Sequence, residues 1–255
     1  MSSAQIPSLR AAVRRRLLPW FANNARDLPW RAAPRPPYAV WISEIMLQQT
    51  RVDTVTPYFR RFLARFPDPA ALAAAPLRDV LKLWEGLGYY SRARQIHKTA
   101  HLLVRDHGGK LPADPAQLAA LPGLGPYTTA AVASFAFGHP LAVLDGNVIR
   151  VFARLLALPD DVGRPATKKN LQLLADALLL KDRPGTVNEA WMELGALVCT
   201  PRNPRCPACP LRAVCRAAKL KTPEAYPKKK KKMKVPHKIV GAAVILNAKN
   251  QILIA

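Results

Sequence analysis

Two carboxylates and a knot of cysteines are the residues in this chain best placed to do chemistry. Glu44 lies in the apolar stretch Trp41-Ile42-Ser43-Glu44-Ile45-Met46-Leu47-Gln48-Gln49-Thr50, one helical turn from Trp41 and Gln48. An apolar setting raises a carboxyl pKa, which suits a general acid that carries a proton near neutral pH. Spacing alone favours a solvent-facing glutamate. Asp145 opens Leu144-Asp145-Gly146-Asn147-Val148, and a lone Asp before a helix is usually an N-cap. Two carboxylates in different settings can divide acid and anion roles between them.

Cys199, Cys206, Cys209 and Cys215 are the only cysteines, separated by six, two and five residues. A disulfide scaffold of an extracellular protein would spread them along the chain. Crowded thiols indicate a metal or cluster site in a reducing compartment. Four thiolates can hold zinc or an iron–sulfur cluster. A zinc ribbon offers two Cys-x-x-Cys knuckles, and this chain has one. Arg202, Arg205, Arg212 and Arg216 alternate with the cysteines, and no acid lies between Glu193 and Glu224. Such a loop suits DNA phosphates.

The elements that must position these groups read as helices. Ala and Leu dominate and β-branched runs are few. Asp68-Pro69-Ala70 and Asp114-Pro115-Ala116 each place a capping Asp before a Pro at the first helical position. Pro34, Pro36 and Pro37 mark a loop before a helix expected over Val40 to Thr50. Gly86, Gly88, Gly108 and Gly109 end helices or form turns. In Leu121-Pro122-Gly123-Leu124-Gly125-Pro126-Tyr127-Thr128-Thr129-Ala130, one helix ends before Pro122 and another begins at Pro126. Gly123 and Gly125 let the backbone turn tightly and expose N–H groups, which suit a phosphate beside the next helix N-terminus.

Length and charge bound the rest. The 255 residues carry 39 Lys and Arg against 16 Asp and Glu, a formal net charge of +23. Such an imbalance favours a polyanionic partner, nucleic acid first. No apolar run is long enough to span a bilayer, so no membrane is expected. The segment Met1 to Arg26 holds five Arg and no acid, a composition shared with transit peptides. Leu17, Leu18, Trp20 and Phe21 favour a first helix of the fold instead. At Pro223 the composition changes, and Lys228 to Lys232 is a run of lysines, a linker signature. The expected division is a helical domain over 1–222, a Lys-rich linker over 223–238 and the start of a cut-off second domain over 239–255. In that last part Ile239 to Leu246 and Gln251 to Ile254 read as a β-hairpin.

These motifs, in this order, resemble the MutY-type adenine DNA glycosylases of the helix–hairpin–helix (endonuclease III) superfamily. The hairpin is 121–132. The resemblance spans roughly Leu9 to Arg216 and includes Arg26-Asp27-Leu28-Pro29-Trp30-Arg31 and Trp84-Glu85-Gly86-Leu87-Gly88-Tyr89-Tyr90-Ser91-Arg92, with Asn188-Glu189 and the run up to Cys199. It implies an all-α, two-lobed fold with a cluster loop. One lobe is the middle of the chain with the hairpin, and the other joins the N-terminal helix to the cysteine region. It implies a [4Fe–4S] cluster on the four cysteines, and double-stranded DNA with a mismatched or oxidised base pair as partner. The substrate would be adenine opposite 8-oxoguanine or guanine, flipped out and released by hydrolysis. Glu44 would protonate the base, Asp145 would stabilise the sugar cation, and Tyr127 and Asn147 would support the sugar. Arg26, Trp30, Leu47 and Glu189 would line the base pocket. Gln49 and Tyr89 would fill the gap in the duplex, although Tyr89 also reads as a core aromatic. The C-terminal fragment resembles the start of a Nudix-like domain. A cytoplasmic, bacterial-type monomer bound to the nucleoid is expected. Bifunctional relatives carry a lysine just before the Thr-Ala of the hairpin's second helix. Tyr127 occupies that place, and no Lys occurs from Leu111 to Thr167, so a monofunctional enzyme is expected. Two other readings stand beside it: an endonuclease III-type glycosylase and lyase for oxidised pyrimidines, and a non-enzymatic cluster-bearing DNA-binding protein.

Overall fold

The structure is a computed structural model that describes residues 5–230, with residues 241 and 248. The expected C-terminal hairpin and residues 231–238 of the expected linker lie outside the described residues.

The chain runs as a succession of helices: α1 (Gln5–Ala12), α2 (Leu18–Asn24), α3 (Pro37–Leu47), α4 (Val52–Arg65), α5 (Pro69–Ala74), α6 (Leu77–Trp84), α7 (Ser91–His107), α8 (Pro115–Ala120), α9 (Pro126–Ala136), α10 (Gly146–Leu156), α11 (Pro165–Leu178), α12 (Pro184–Leu197) and α13 (Arg216–Lys219). A wide helical turn over Val13–Leu17 joins α1 to α2. Several starts follow from local chemistry. Asp68 accepts from the Ala71 N–H at 2.7 Å, and Asp114 accepts from the Ala116 N–H at 3.0 Å. Proline occupies the first position of α5, α8, α9, α11 and α12, where its missing N–H has no helical partner to lose. No helix among the described residues is long and apolar enough to cross a membrane.

Two apolar cores divide the body. The first gathers residues from Leu28 to Ala133, centred on Trp41, Phe62, Phe66 and Trp84. The second joins Leu9, Val13, Leu17 and Phe21 to residues from Ala142 to Leu211, with Phe152 and Trp191 stacked edge to face. The expected lobes are therefore present. The N-terminal segment is a packed helix: Val13 and Leu17 are fully buried in the second core.

Three expectations are corrected. Helix α3 covers Pro37–Leu47 rather than Val40 to Thr50. Proline pre-sets φ for a first helical position, so the helix starts earlier, and it ends earlier because Gln49 turns into the left-handed region at φ 59°. The stretch assigned to the linker begins as part of the body. The guanidinium of Arg154 donates to the carbonyls of Pro223 and Tyr226, and the Val162 N–H donates to the Lys228 carbonyl. In the hairpin, only Gly123 needs its freedom. It sits at φ 79°, and a Cβ there would come within 2.9 Å of Gln95 Oε1. Gly125 is ordinary extended backbone at φ −69° and caps α9.

Candidate active site

Helix α3 carries Glu44 into the space between the two cores. Its apolar neighbours bury it, leaving only 4 % of the residue exposed. Burial, with the nearby Glu189 and Asp145 carboxylates, pushes Glu44 up to about 7, against the opposing pull of the Tyr127 hydroxyl and Arg31. The hydroxyl of Tyr127, on α9, donates to Glu44 Oε2 at 2.9 Å. Burial and the Glu44 carboxylate hold Tyr127 well above the ordinary tyrosine range, so it stays a donor. The solvent-facing alternative for Glu44 is excluded.

Asp145 caps α10 and lines the same cavity as Glu44. Its Oδ1 accepts from the Val148 N–H at 2.7 Å, and its Oδ2 accepts from the Asn147 amide at 2.9 Å. Burial raises its pKa, while those donors and Arg150 act in the other direction. Arg150 donates to Asn147 Oδ1 at 2.7 Å and to the carbonyl of Cys199 at 2.7 Å. Asn147 therefore orients the carboxylate and is itself oriented. Gly195 of α12 permits this packing, because a Cβ there would lie 2.6 Å from Asn147 Cβ. The buried side chain of Asn188 fixes the segment leading to Asp145, accepting from the Val143 N–H and donating to Ser134 Oγ and the Leu141 carbonyl.

One cavity of about 420 Å³ brings together Glu44, Tyr127, Asp145, Asn147, Arg26, Trp30, Leu47 and Glu189. These are all of the expected catalytic and base-pocket residues. A second, more open cavity shares Glu44, Leu47, Tyr127 and Asp145 with it and reaches Gln49, Gly123 and Gly125. The hairpin therefore borders space that Glu44 and Asp145 also line. Trp30 packs edge to face on Phe59, with centroids 5.4 Å apart.

The pocket floor holds groups that sequence reasoning missed. Arg31 bridges Glu189 at 2.9 Å and Glu193 at 3.0 Å. Arg35 pairs with Glu189, and Arg26 grips both oxygens of Glu193. Against the cost of burial, Arg26 and Arg31 hold Glu193 down at about 2. Arg26 and Glu189 thus line the pocket as members of an ion-pair lattice. The one signal in the sequence was Arg31, at the end of Arg26-Asp27-Leu28-Pro29-Trp30-Arg31. Nothing local marked Arg35 or Glu193.

Gln49 and Tyr89 are exposed at the surface, Tyr89 by 60 %, which removes the core reading of Tyr89. Both stand in the left-handed region, at φ 59° and 48°, a conformation that costs a non-glycine residue about 1–2 kcal/mol. Arg202 and Arg205 are exposed on the cysteine loop. Arg205 is partly committed, since its guanidinium donates to the Leu197 carbonyl.

The four cysteines are free thiols. They line one small cavity with Arg154, Val198, Pro204, Arg212, Ala218 and Pro223. Among the described residues, no three of His, Cys, Asp and Glu converge as a site for one metal ion. Burial, reinforced by the neighbouring thiols, pushes Cys209 up to about 12 and Cys215 upward. Arg154 is buried and donates to Cys199 Sγ at 3.3 Å and to the carbonyls of Cys199, Thr200 and Pro201. Four thiols around one cavity, with a guanidinium donating to one of them, are a donor set that can hold zinc or an iron–sulfur cluster.

The HhH-GPD superfamily base excision DNA repair protein family matches residues 42–176. The chain belongs to the HhH-GPD superfamily. Similar HhH-GPD relatives include the adenine DNA glycosylase of Rattus norvegicus, 46 % identical over 214 residues, which covers 81 % of this chain and 42 % of the relative. The adenine DNA glycosylase of Buchnera aphidicola subsp. Acyrthosiphon pisum (strain APS) is 37 % identical over 235 residues, covering 92 % of this chain and 67 % of the relative. This HhH-GPD chain thus spans about two-fifths of the length of its mammalian relatives. Among solved structures, a thermostable thymine-DNA glycosylase superposes with a TM-score of 0.76 at 28 % identity, covering 84 % of this chain and 98 % of that one. An endonuclease III in non-covalent complex with DNA superposes with a TM-score of 0.70 at 25 % identity, covering 87 % and 98 %.

Proposed function

We propose that the chain is a monofunctional adenine DNA glycosylase, acting on adenine opposite 8-oxoguanine or guanine in double-stranded DNA. One observation carries the reading: a buried Glu44 that keeps its proton near neutral pH faces the same cavity as Asp145, whose carboxylate is held by the Val148 and Asn147 donors. Adenine is a poor leaving group until a ring nitrogen is protonated. Glu44 supplies that proton, and the electron pair of the broken base–sugar bond goes to the base. Asp145 stabilises the cation left on the sugar. Water adds to the sugar carbon, loses a proton, and leaves an abasic site. Gln49 and Tyr89 fill the gap left by the flipped base, and Gly123, Gly125, Arg202 and Arg205 face phosphates.

No lysine lines either cavity, which favours hydrolysis over strand nicking, since nicking needs an amine that can form a Schiff base. Cys199, Cys206, Cys209 and Cys215 would hold a [4Fe–4S] cluster, which supplies no electrons to a hydrolysis and pins the Arg-bearing loop. Action as a monomer on cytoplasmic DNA completes the proposal.

The test is base release from duplexes carrying adenine opposite 8-oxoguanine, adenine opposite guanine, or thymine glycol, with borohydride trapping alongside. Adenine release without an efficient covalent adduct is expected. Release of thymine glycol with nicking that keeps pace would refute it.

A further inference from the structure

Arg92, on α7, is a cation buried with only 6 % exposed. Among the described residues it pairs with no carboxylate. Its Nη1 donates to the carbonyls of Ile45 at 2.9 Å, Met46 at 3.0 Å and Gln48 at 2.6 Å. Its Nη2 reaches Thr50 Oγ1 at 3.3 Å and the carbonyls of Leu87 and Gly88 at 3.2 Å each. The first group is the end of α3 and the turn that carries Gln49. Thr50 belongs with that first group, and Leu87 and Gly88 form the turn that carries Tyr89. A cation is favoured at a helix C-terminus, where unpaired carbonyls gather. This guanidinium serves two loops about 40 residues apart in sequence. Its Cζ also lies 5.5 Å from the Tyr89 ring centroid and 5.4 Å from that of Trp84.

The two exposed residues at the ends of this clamp share an unusual feature. Gln49 and Tyr89 both hold left-handed backbone, which persists in non-glycine residues only where the surroundings over-determine it. The planar fork of Arg92, reaching carbonyls on both turns at once, provides that determination. Lysine has one ammonium and cannot span both sets of acceptors.

We propose that Arg92 is a positioning residue that fixes the Gln49 turn and the Tyr89 turn to each other, so that both side chains enter the duplex as a preset pair. The proposal rests on the reading of Gln49 and Tyr89 as gap-filling residues. Arg92 acts through them and touches neither the base nor the sugar. It should govern the opening of the duplex and leave the hydrolytic step alone.

The experiment reads insertion without needing excision. A duplex carries a stable abasic-site analogue next to 2-aminopurine, whose fluorescence rises when it is unstacked. The wild-type protein at saturation should raise the signal. Arg92→Lys, which keeps the charge, should reduce the rise at least threefold while binding at the same salt dependence. Thr50→Val removes one acceptor of the clamp and should give a smaller loss in the same direction. For adenine excision, Arg92→Lys made on a Tyr89→Ala background should add less than a twofold loss, because residues acting through one element are not additive. A full fluorescence rise with Arg92→Lys overturns the proposal, as does a fully additive loss. If Arg92→Lys does not fold, Thr50→Val decides, and an unchanged signal with it is a refutation. A wild-type protein that inserts but releases no adenine refutes the catalytic reading and leaves the clamp standing. A wild-type protein that gives no rise refutes the gap-filling role and the clamp together.

Discussion

Replacing Tyr127 by Phe isolates the hydrogen bond that tunes the proposed acid. The hydroxyl donates to Glu44 Oε2 at 2.9 Å, and that bond favours the carboxylate, drawing Glu44 down against burial, which pushes it up to about 7. A hydrogen bond to a charged group is worth about 1.5–3 kcal/mol net. At about 1.4 kcal/mol per tenfold, its loss disfavours the anion by roughly one to two decades. In the wild type, kcat/KM for base release should fall tenfold per pH unit above about 7, because the limb reports the free enzyme's acid. In Tyr127→Phe the break should move up by roughly one to two pH units. Phe can also slow the reaction at every pH, so the quantity to compare is the ratio of variant to wild type. That ratio should rise on the order of tenfold from pH 6 to pH 8.5. Stability gives a second reading. The raised pKa of Glu44 contributes stability that is fully present below about 4.5 and is lost as pH rises through about 7, about 3 kcal/mol in all for this buried group. In the variant the same loss should extend to higher pH. A break that stays put or moves down would mean that Glu44 is not the titrating acid, or that Tyr127 does not hold its anion.

Asp145→Asn should lower turnover on the order of a thousandfold with DNA binding retained. Its melting temperature should hardly move, since Asn also caps helices well; turnover within tenfold of wild type would refute the role. Arg31→Met takes one of two guanidinium partners from each of Glu189 and Glu193, whose side chains are only 10 % and 1 % exposed, and leaves them Arg35 and Arg26. Losing a hydrogen bond between charged groups costs about 1.5–3 kcal/mol, read as a fall in melting temperature of roughly 3–12 °C, and a change of under about 2 °C would contradict it. Anaerobically purified protein should be yellow-brown with broad absorption near roughly 400 nm, lost in Cys199→Ser; a colourless protein holding one zinc would refute the cluster. Affinity for DNA should fall on the order of tenfold or more from dilute to physiological salt, and a flat titration would argue against phosphate contacts.

Much of the fold was legible because its signals are local. Asp68 and Asp114 announce their helices by standing before a proline, and both cap as expected. The hairpin is punctuated where it was expected, with α9 starting at Pro126 and Gly123 turning at φ 79°. Glu44 and Asp145 were legible through their surroundings and through family resemblance. What stayed hidden depends on contacts that leave no period in the chain. Arg31 meets Glu189 across 158 positions, and Arg26 meets Glu193 across 167. Arg92 and Arg154 are buried cations whose partners are mostly carbonyls, and any sequence supplies those. The early end of α3 was missed because it depends on the turn that Arg92 holds, four helices further on.

The interleaving of the two cores has a consequence for synthesis on the ribosome. The first core is built from one unbroken stretch, Leu28 to Ala133, and can close as soon as that stretch has emerged. The N-terminal helices belong to the second core, whose other members begin at Ala142 and run to Leu211. At roughly 5–20 residues per second, their apolar face waits on the order of ten seconds or more for its partners. During that interval the earliest part of the chain is the last to find its place, held beside a finished lobe with Leu9, Val13, Leu17 and Phe21 uncovered. Nascent chains halted between residues 140 and 200 should therefore be the ones that recruit chaperones and aggregate.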